Sequence, residues 1–520
     1  MGAMDSGLEG GASPAARPGS AQWETSVEGT GSARRAARGP PGSGMTTGPL
    51  EITELRRTLA AGVWLIGAAY LAAALVGLPL FGDGAYYYFK LAADHDLLLP
   101  NLRYAALLPQ LPGWLAVHWI SDALLLRHVF SMAYQSLPWL SLAACWLLVR
   151  RRAPWLMLWP LLAALANLIN FSAVSELLAA LYLCWPLTLA MALSPERRWV
   201  WGFALLAGPW LLALHPMAFV PAVMLAAAAG LLAWQRPDLA RVWRRLSVWL
   251  ALCGALRLGW TAAGVNAYER GNLSAAGISH YLMPATPAQE LLVGLALTAG
   301  LVAAWIAWRS SRGRGAAVAG VLLPALLLLL LGSALAVALE VLAGHGIKLK
   351  AALVFVAGLG LMALAFVLIR LVGPARLASL QPAPAGARPL RWLIAALLVL
   401  ILAKSAAWWT ATRQLQDVLA GATVDCIAFG PQTPFGLQWP WMQIIDDWAT
   451  PMSALAFRPR LPDLGQGSAV DGIETIPLLL PGDGCARLTR TGEAHLTSWL
   501  WRRWELLEAR FGPLRRPQSG

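Results

Sequence analysis

Charge is scarce in this chain. Only 13% of its 520 residues are Asp, Glu, Lys or Arg, against 58% hydrophobic. Soluble globular proteins carry about 25% charged residues, so that class is excluded. Lysine is scarcer still, at Lys90, Lys348, Lys350 and Lys404 only; the remainder of the 40 basic residues are arginine. Five cysteines occur without a CxxC pair or a His-Cys spacing, so no zinc or dithiol motif is present. Residues 1–50 have no apolar period and are rich in Gly, Ala, Ser, Pro and Arg, the composition of a disordered extension. They also lack the short apolar core and cleavage site of a secretory signal. Met45 is an alternative start, because everything that looks structural follows it.

What is present is a series of apolar runs long enough to cross a bilayer, which takes about 20 residues per helix. They fall at about 58–81, 129–149, 153–172, 174–194, 199–214, 217–234, 246–264, 288–307, 316–343, 350–373 and 392–409. The prediction is an all-α polytopic membrane protein of about eleven transmembrane helices. Arginines collect in alternate connections: Arg56 and Arg57, Arg150 to Arg152, Arg197 and Arg198, Arg236 to Arg245, Arg309 to Arg314, and Arg376 to Arg391. The positive-inside rule assigns these to the cytoplasm. It also accounts for the net charge of +13 without nucleic acid as a partner. The N-terminus is then cytoplasmic and residues 410–520 are extracytoplasmic. This parity requires residues 97–121, with Arg103, Pro109, Gln110, Pro112 and His118, to be one or two helices lying on the outer interface. The expected organisation is a disordered 1–50, a membrane domain at 51–409 and a small α+β or irregular domain at 410–520. That last domain holds a helix at about 491–511 and a short apolar run, Ile476 to Leu480. Cys426 and Cys485 lie in it and can pair in an oxidising compartment. Cys145, Cys184 and Cys253 lie in spans and read as packing residues.

With these sides assigned, titratable chemistry concentrates on the outer face. Eight of the twelve acidic residues between 51 and 409 fall there, among them Asp83, Asp94, Asp96, Glu176 and Glu340, and so do all seven histidines. Asp83 stands out. It follows the first span inside the word Gly82-Asp83-Gly84-Ala85-Tyr86-Tyr87-Tyr88, where it is either a functional carboxylate or the cap of the next helix. Glu176 opens span four, either as a dipole-compensating acid or as a second acidic group of a site. Arg257 lies deep in span seven and needs a partner, with Glu340 a candidate. His215 precedes Pro216 at an outer helix end. Tryptophans near the last span, including Trp408, Trp409, Trp439, Trp441 and Trp448, read as interfacial belt residues, although sugars also stack on such rings.

The layout resembles the C-type glycosyltransferases, the GT-C superfamily: a first span, an acidic residue just outside it, a long first outer loop, about eleven spans and an outer C-terminal domain. The words that carry the resemblance are Gly82-Asp83-Gly84-Ala85-Tyr86-Tyr87-Tyr88 and His215-Pro216. It implies a polyprenyl-phosphate-linked sugar donor and a glycan, lipid or protein acceptor, met on the outer face of a bacterial inner membrane. In that family an Asp or Glu of the first outer loop acts as general base, or binds a metal or the acceptor; here the role falls on Asp83. The DxD spacing occurs at Asp94-His95-Asp96, which is not a clear metal word of that family, so metal dependence stays open and no cofactor is assigned. The expected catalytic residues are Asp83 and Glu176. The expected substrate-binding residues are Tyr86, Tyr87, Arg103, His215, Arg257, Lys348 and Lys350, the cations meeting a lipid phosphate. A transporter or lipid flippase, or a non-catalytic assembly subunit, is the alternative.

Overall fold

A computed structural model describes residues 49–99, 103–168, 174–264, 294, 298, 305, 351–371, 373, 388–429, 448–458 and 475–515. Lys348, Lys350, Glu340, most of span eight and all of span nine lie outside these residues. The helices are α1 (Pro49–Leu75), α2 (Asp83–Asp94), α3 (Leu111–Val117), α4 (Ala123–Val149), α5 (Leu158–Leu168), α6 (Glu176–Leu193), α7 (Arg198–Leu212), α8 (Phe219–Gln235), α9 (Ala240–Ala263), α10 (Ala351–Leu371) and α11 (Arg388–Gly421). Seven of them, α1, α4, α6, α8, α9, α10 and α11, contain segments long and apolar enough to cross a membrane. Among the described residues that is the count, rather than eleven. Expected spans three and five are short: the apolar stretch of the first is Pro154–Leu168, and α7 has 15 residues. At about 1.5 Å per residue neither covers the roughly 30 Å of hydrocarbon when straight.

Helix α1 lies between α4 and α11, α6 lies between α4 and α10, and α5 touches both α10 and α11. Helices α7, α8 and α9 form a second group that joins through α6. At one end of the bundle arginines bridge the connections. Arg56 donates to the Arg151 carbonyl at 2.8 Å, Arg152 to the Leu193 carbonyl at 3.2 Å, and Arg370 to the Gln235 side chain and the Ala192 carbonyl at 3.1 Å each. Arg391 pairs with Glu54 at the same end. The starts of α2, α6 and α8 gather at the opposite end.

The segment at 97–121 forms a short 3-10 turn (Tyr104–Leu107) and α3 (Leu111–Val117), neither of which can span. Gln110 ties it together. Its buried amide donates to the Leu98 and Ala106 carbonyls at 2.9 and 3.0 Å, and its oxygen accepts from the Leu98 N–H at 2.9 Å. Asp122 caps α4 by accepting from the Leu124 N–H at 2.8 Å.

After α11 come β1 (Cys426–Phe429), α12 (Thr450–Ala456), β2 (Leu478–Pro481), α13 (Gly484–Thr491), β3 (Glu493–Thr497), β4 (Leu500–Arg503) and α14 (Trp504–Phe511). Strand β1 pairs in parallel with β2, and β3 pairs antiparallel with β4. A helix across 491–511 is therefore wrong for its first half. Ala494 and Leu496 are buried alternately, with period 2, and the helical spacing begins only at Leu500, Trp504, Leu507 and Phe511. Cys426 and Cys485 form a disulfide, which joins β1 to α13. The region docks on the end of the bundle that carries α2. Phe511 stacks on Phe89 at 5.8 Å, and Arg510 donates to the Ile120 carbonyl at 3.0 Å. Arg127 of α4 donates to the Ala456 carbonyl at 3.1 Å and lies over Phe457 at 4.4 Å. Arg502 grips Asp94 with two hydrogen bonds, at 3.1 and 2.5 Å, and Lys90 pairs with the same carboxylate. Burial alone would raise the Asp94 pKa; the bonds from Arg502 and Lys90 outweigh it and hold the carboxyl below its usual value.

Candidate functional site

The Gly-Asp-Gly word is a stereochemical device. Gly77 and Gly82 have φ of +74° and +58°, where a Cβ is strained. They turn the chain sharply out of α1 and into α2. A Cβ on Gly84 would lie 1.6 Å from the Pro79 carbonyl oxygen and 3.0 Å from a Val174 methyl. Only glycine lets the first turn of α2 press against that carbonyl and the strand-like residues leading into α6. Gly82 is the cap residue and Asp83 the first residue of the helix, so Asp83 does not serve as the cap. It stands exposed at the helix start, where a carboxylate suits the dipole.

This close approach aligns α2 with the start of α6. The Tyr87 hydroxyl, one turn along from Asp83, donates to Glu176 Oε1 at 2.5 Å. Arg103 Nη1 faces Glu176 Oε2 at 3.5 Å, with both side chains 14% exposed. Burial raises the Tyr87 pKa well above its ordinary value, and the charge and hydrogen bond of Glu176, with Asp83 more weakly, raise it further. Tyr87 is thus held protonated, a fixed donor. Its ring lies 6.5 Å from that of Tyr134 on α4.

Behind Glu176 the cations come together. The Ala105 N–H donates to the Ala213 carbonyl at 3.0 Å, which pins the turn after Arg103 to the α7–α8 connection. His215 begins the next 3-10 turn, and its Nδ1 accepts from the Met217 N–H at 3.1 Å. The ring proton therefore sits on Nε2. Burial, then the charges of Arg103 and Arg257, press the His215 pKa well below its ordinary value, so the ring is neutral. Arg257 is buried, donates to the Leu212 carbonyl at 3.2 Å and lies 5.4 Å from the Trp260 ring. Trp260 in turn neighbours Tyr104 at 6.2 Å.

A recess of about 370 Å³, counting the space at its mouth, opens beside Glu176. Ala105, Pro109, Leu137, Val174 and Leu214 make most of its wall apolar, and Tyr134, Tyr182 and Ser175 add hydroxyls. Glu176 is the charged group on it. The arrangement can hold an anion near Arg103 and Arg257 and offers a solvent-facing carboxylate at Asp83 beside a shallow, largely apolar recess.

Asp83, Tyr87, Arg103, Glu176, His215 and Arg257 thus fall in one region. Tyr86 turns the other way, toward Trp448 and Trp499 of the C-terminal region. Asp94 is engaged by Arg502, and Asp96 is exposed. Lys404 is buried within α11 rather than at a headgroup level, and its Nζ donates to the Leu168 carbonyl at 2.8 Å. Tyr134 and Tyr182 were not anticipated. A signal existed on α4, where Arg127, Ser131, Tyr134 and Ser141 recur at steps of four, three and seven residues on a buried face of an apolar helix. Among the described residues no group of three or more His, Cys, Asp or Glu is placed to hold a metal ion. No protein-family model, curated protein or solved structure matches the chain.

Proposed function

We propose that this chain is a membrane glycosyltransferase of the GT-C type, moving a sugar from a polyprenyl-phosphate-linked donor to an acceptor hydroxyl. One observation carries the reading: the carboxylates Asp83 and Glu176 flank Tyr87, while Arg103 and Arg257 stand behind Glu176 beside a largely apolar recess. Asp83 takes the proton of the acceptor hydroxyl as its oxygen attacks the anomeric carbon. The bond from that carbon to the lipid phosphate breaks, and its electron pair leaves on the phosphate oxygen. Arg103 and Arg257 stabilise the charge that grows there. Glu176, held by Tyr87, orients Arg103, and neutral His215 can donate from Nε2 without adding a cation to the cluster.

The disulfide supports an outward-facing site. The Cys426–Cys485 pair lies in the region docked on the site end of the bundle. Disulfides persist in oxidising compartments. On this reading the site faces outward from a bacterial inner membrane and the arginine-bridged end is cytoplasmic. Lys404, a cation buried within a span, is the observation that favours the other reading, a transporter or flippase.

The test is turnover in nanodiscs with a panel of polyprenyl-phosphate hexoses and pentoses. Asp83→Asn is expected to lower kcat about 10²–10⁴-fold, the usual worth of a general base, with unchanged thermal stability. A folded Asp83→Asn protein with full transferase activity overturns the assignment.

A further inference from the structure

The aromatic group on the far side of Asp83 has no part in the chemistry above. Tyr86 lies three residues beyond Asp83, hence about 5–6 Å from it on the same face of α2. Its ring meets Trp499 edge-to-face at 5.0 Å and Trp448 at 6.1 Å, and the two indoles are 6.2 Å apart. Trp499 sits in the β3–β4 turn and is 50% exposed. One and two turns further along α2 come Lys90 and Asp94, the latter gripped by Arg502. Arg502 and Asp94 are near enough to the Tyr86 hydroxyl to act on it electrostatically.

We propose that Tyr86, Trp448 and Trp499 form a stacking platform for the carbohydrate portion of the acceptor, with Lys90, Asp94 and Arg502 binding its hydroxyls. This rests on the glycosyltransferase reading and names the acceptor as a glycan. Three features of the platform favour a sugar. Pyranose and furanose rings present C–H faces that pack on aromatic rings, and they carry hydroxyls that need partners at the ring's edge. Planar forked groups, the carboxylate and the guanidinium, supply such partners in pairs. The platform also adjoins the proposed site: the Tyr86 ring lies 6.4 Å from that of Tyr87 and Tyr86 is one helical turn from Asp83, so a bound glycan would lead its terminal hydroxyl toward the base. A membrane-anchoring tryptophan belt would not need the rings packed against one another with an ion cluster beside them.

The experiment is binding of the full-length protein in nanodiscs to an array of soluble hexose and pentose oligosaccharides, followed by titration of the best one. Trp499→Ala should weaken binding about tenfold or more, the scale of one lost aromatic contact, and Trp499→Phe should restore part of it. Trp501→Ala is the control: that residue is equally exposed two positions on, across from His495. Asp83→Asn should bind as wild type while losing turnover. A wild-type protein that binds no glycan, or binding that survives Trp499→Ala, overturns the platform, and so does an equal loss in Trp501→Ala, which would mark a nonspecific apolar surface. Glycan binding through Trp499 by a wild-type protein that transfers none of the panel sugars would overturn the transferase reading and leave the platform standing.

Discussion

Substituting Gly84 by Ala tests whether the geometry of α2 builds the site. The added Cβ would start 1.6 Å from the Pro79 carbonyl oxygen, a backbone atom that no rotamer change can move, and must open to beyond 3.0 Å. Shifting the first turn of α2 by that much carries Tyr87 away from Glu176 Oε1, now 2.5 Å distant. Overpacking of a fitted interior costs about 1–3 kcal/mol, and loss of a hydrogen bond to a charged acceptor about 1.5–3 kcal/mol. Replacing Gly by Ala in a helix returns up to about 1 kcal/mol. The net expectation is destabilisation by about 2–5 kcal/mol. Gly202 in α7 is the internal standard, because the same methyl there meets nothing within 4 Å. Gly202→Ala should be neutral or stabilising. Reversible unfolding in bicelles gives both values under one condition. Turnover should fall about 10²-fold or more in Gly84→Ala, the usual effect of a displacement of about 1 Å at a reacting group. A Gly84→Ala protein as stable as Gly202→Ala would refute the argument that this contact sets α2.

Two further outcomes follow from the same geometry. His215 has a depressed pKa in the folded state, so the unfolded chain binds more protons; stability is then present above the unfolded pKa, about 6.5, and is lost as pH falls below it. Thermal denaturation from pH 8 to 5 should show that loss, with a slope approaching about 1.4 kcal/mol per pH unit, and His215→Asn, which keeps an acceptor for the Met217 N–H, should flatten it. Cys426→Ser should lower the stability of the C-terminal region by about 4 kcal/mol, since the crosslink closes a loop of sequence separation 59; hydrogen exchange in β1 and β2 that is unchanged by the variant would contradict this.

The Gly-Asp-Gly word stood out as a carboxylate just past an apolar run, but the constraints on its glycines did not, because the Cβ on Gly84 is forbidden by Pro79 and crowded by Val174, far along the chain, and only the fold brings these together. The acidic openings of α2 and α6 were legible for a similar reason, as carboxylates at helix starts beside long apolar runs. The union of Tyr87 with Glu176 was not, because 89 residues separate them and only the fold sets their distance. Tyr134 and Tyr182 were hidden by their company, since an aromatic residue inside an apolar run reads as packing. The β3–β4 hairpin reads as helix in the sequence because Leu500, Trp504, Leu507 and Phe511 keep helical spacing from β4 into α14. Arg502 on Asp94, 408 residues apart, has no local sign at all.

That last distance bears on how the protein is made. Helix α2 leaves the ribosome long before its partners: Asp94 waits for Arg502 across 408 residues of further synthesis, and Phe89 waits similarly for Phe511. Arg127 likewise waits for the backbone of Ala456. The outer wall of the site is therefore fitted late, by residues translated after every described span is complete. A chain stopped before Arg502 has the carboxylates and cations but lacks the enclosure around them, so that enclosure is added after the described spans rather than growing with them.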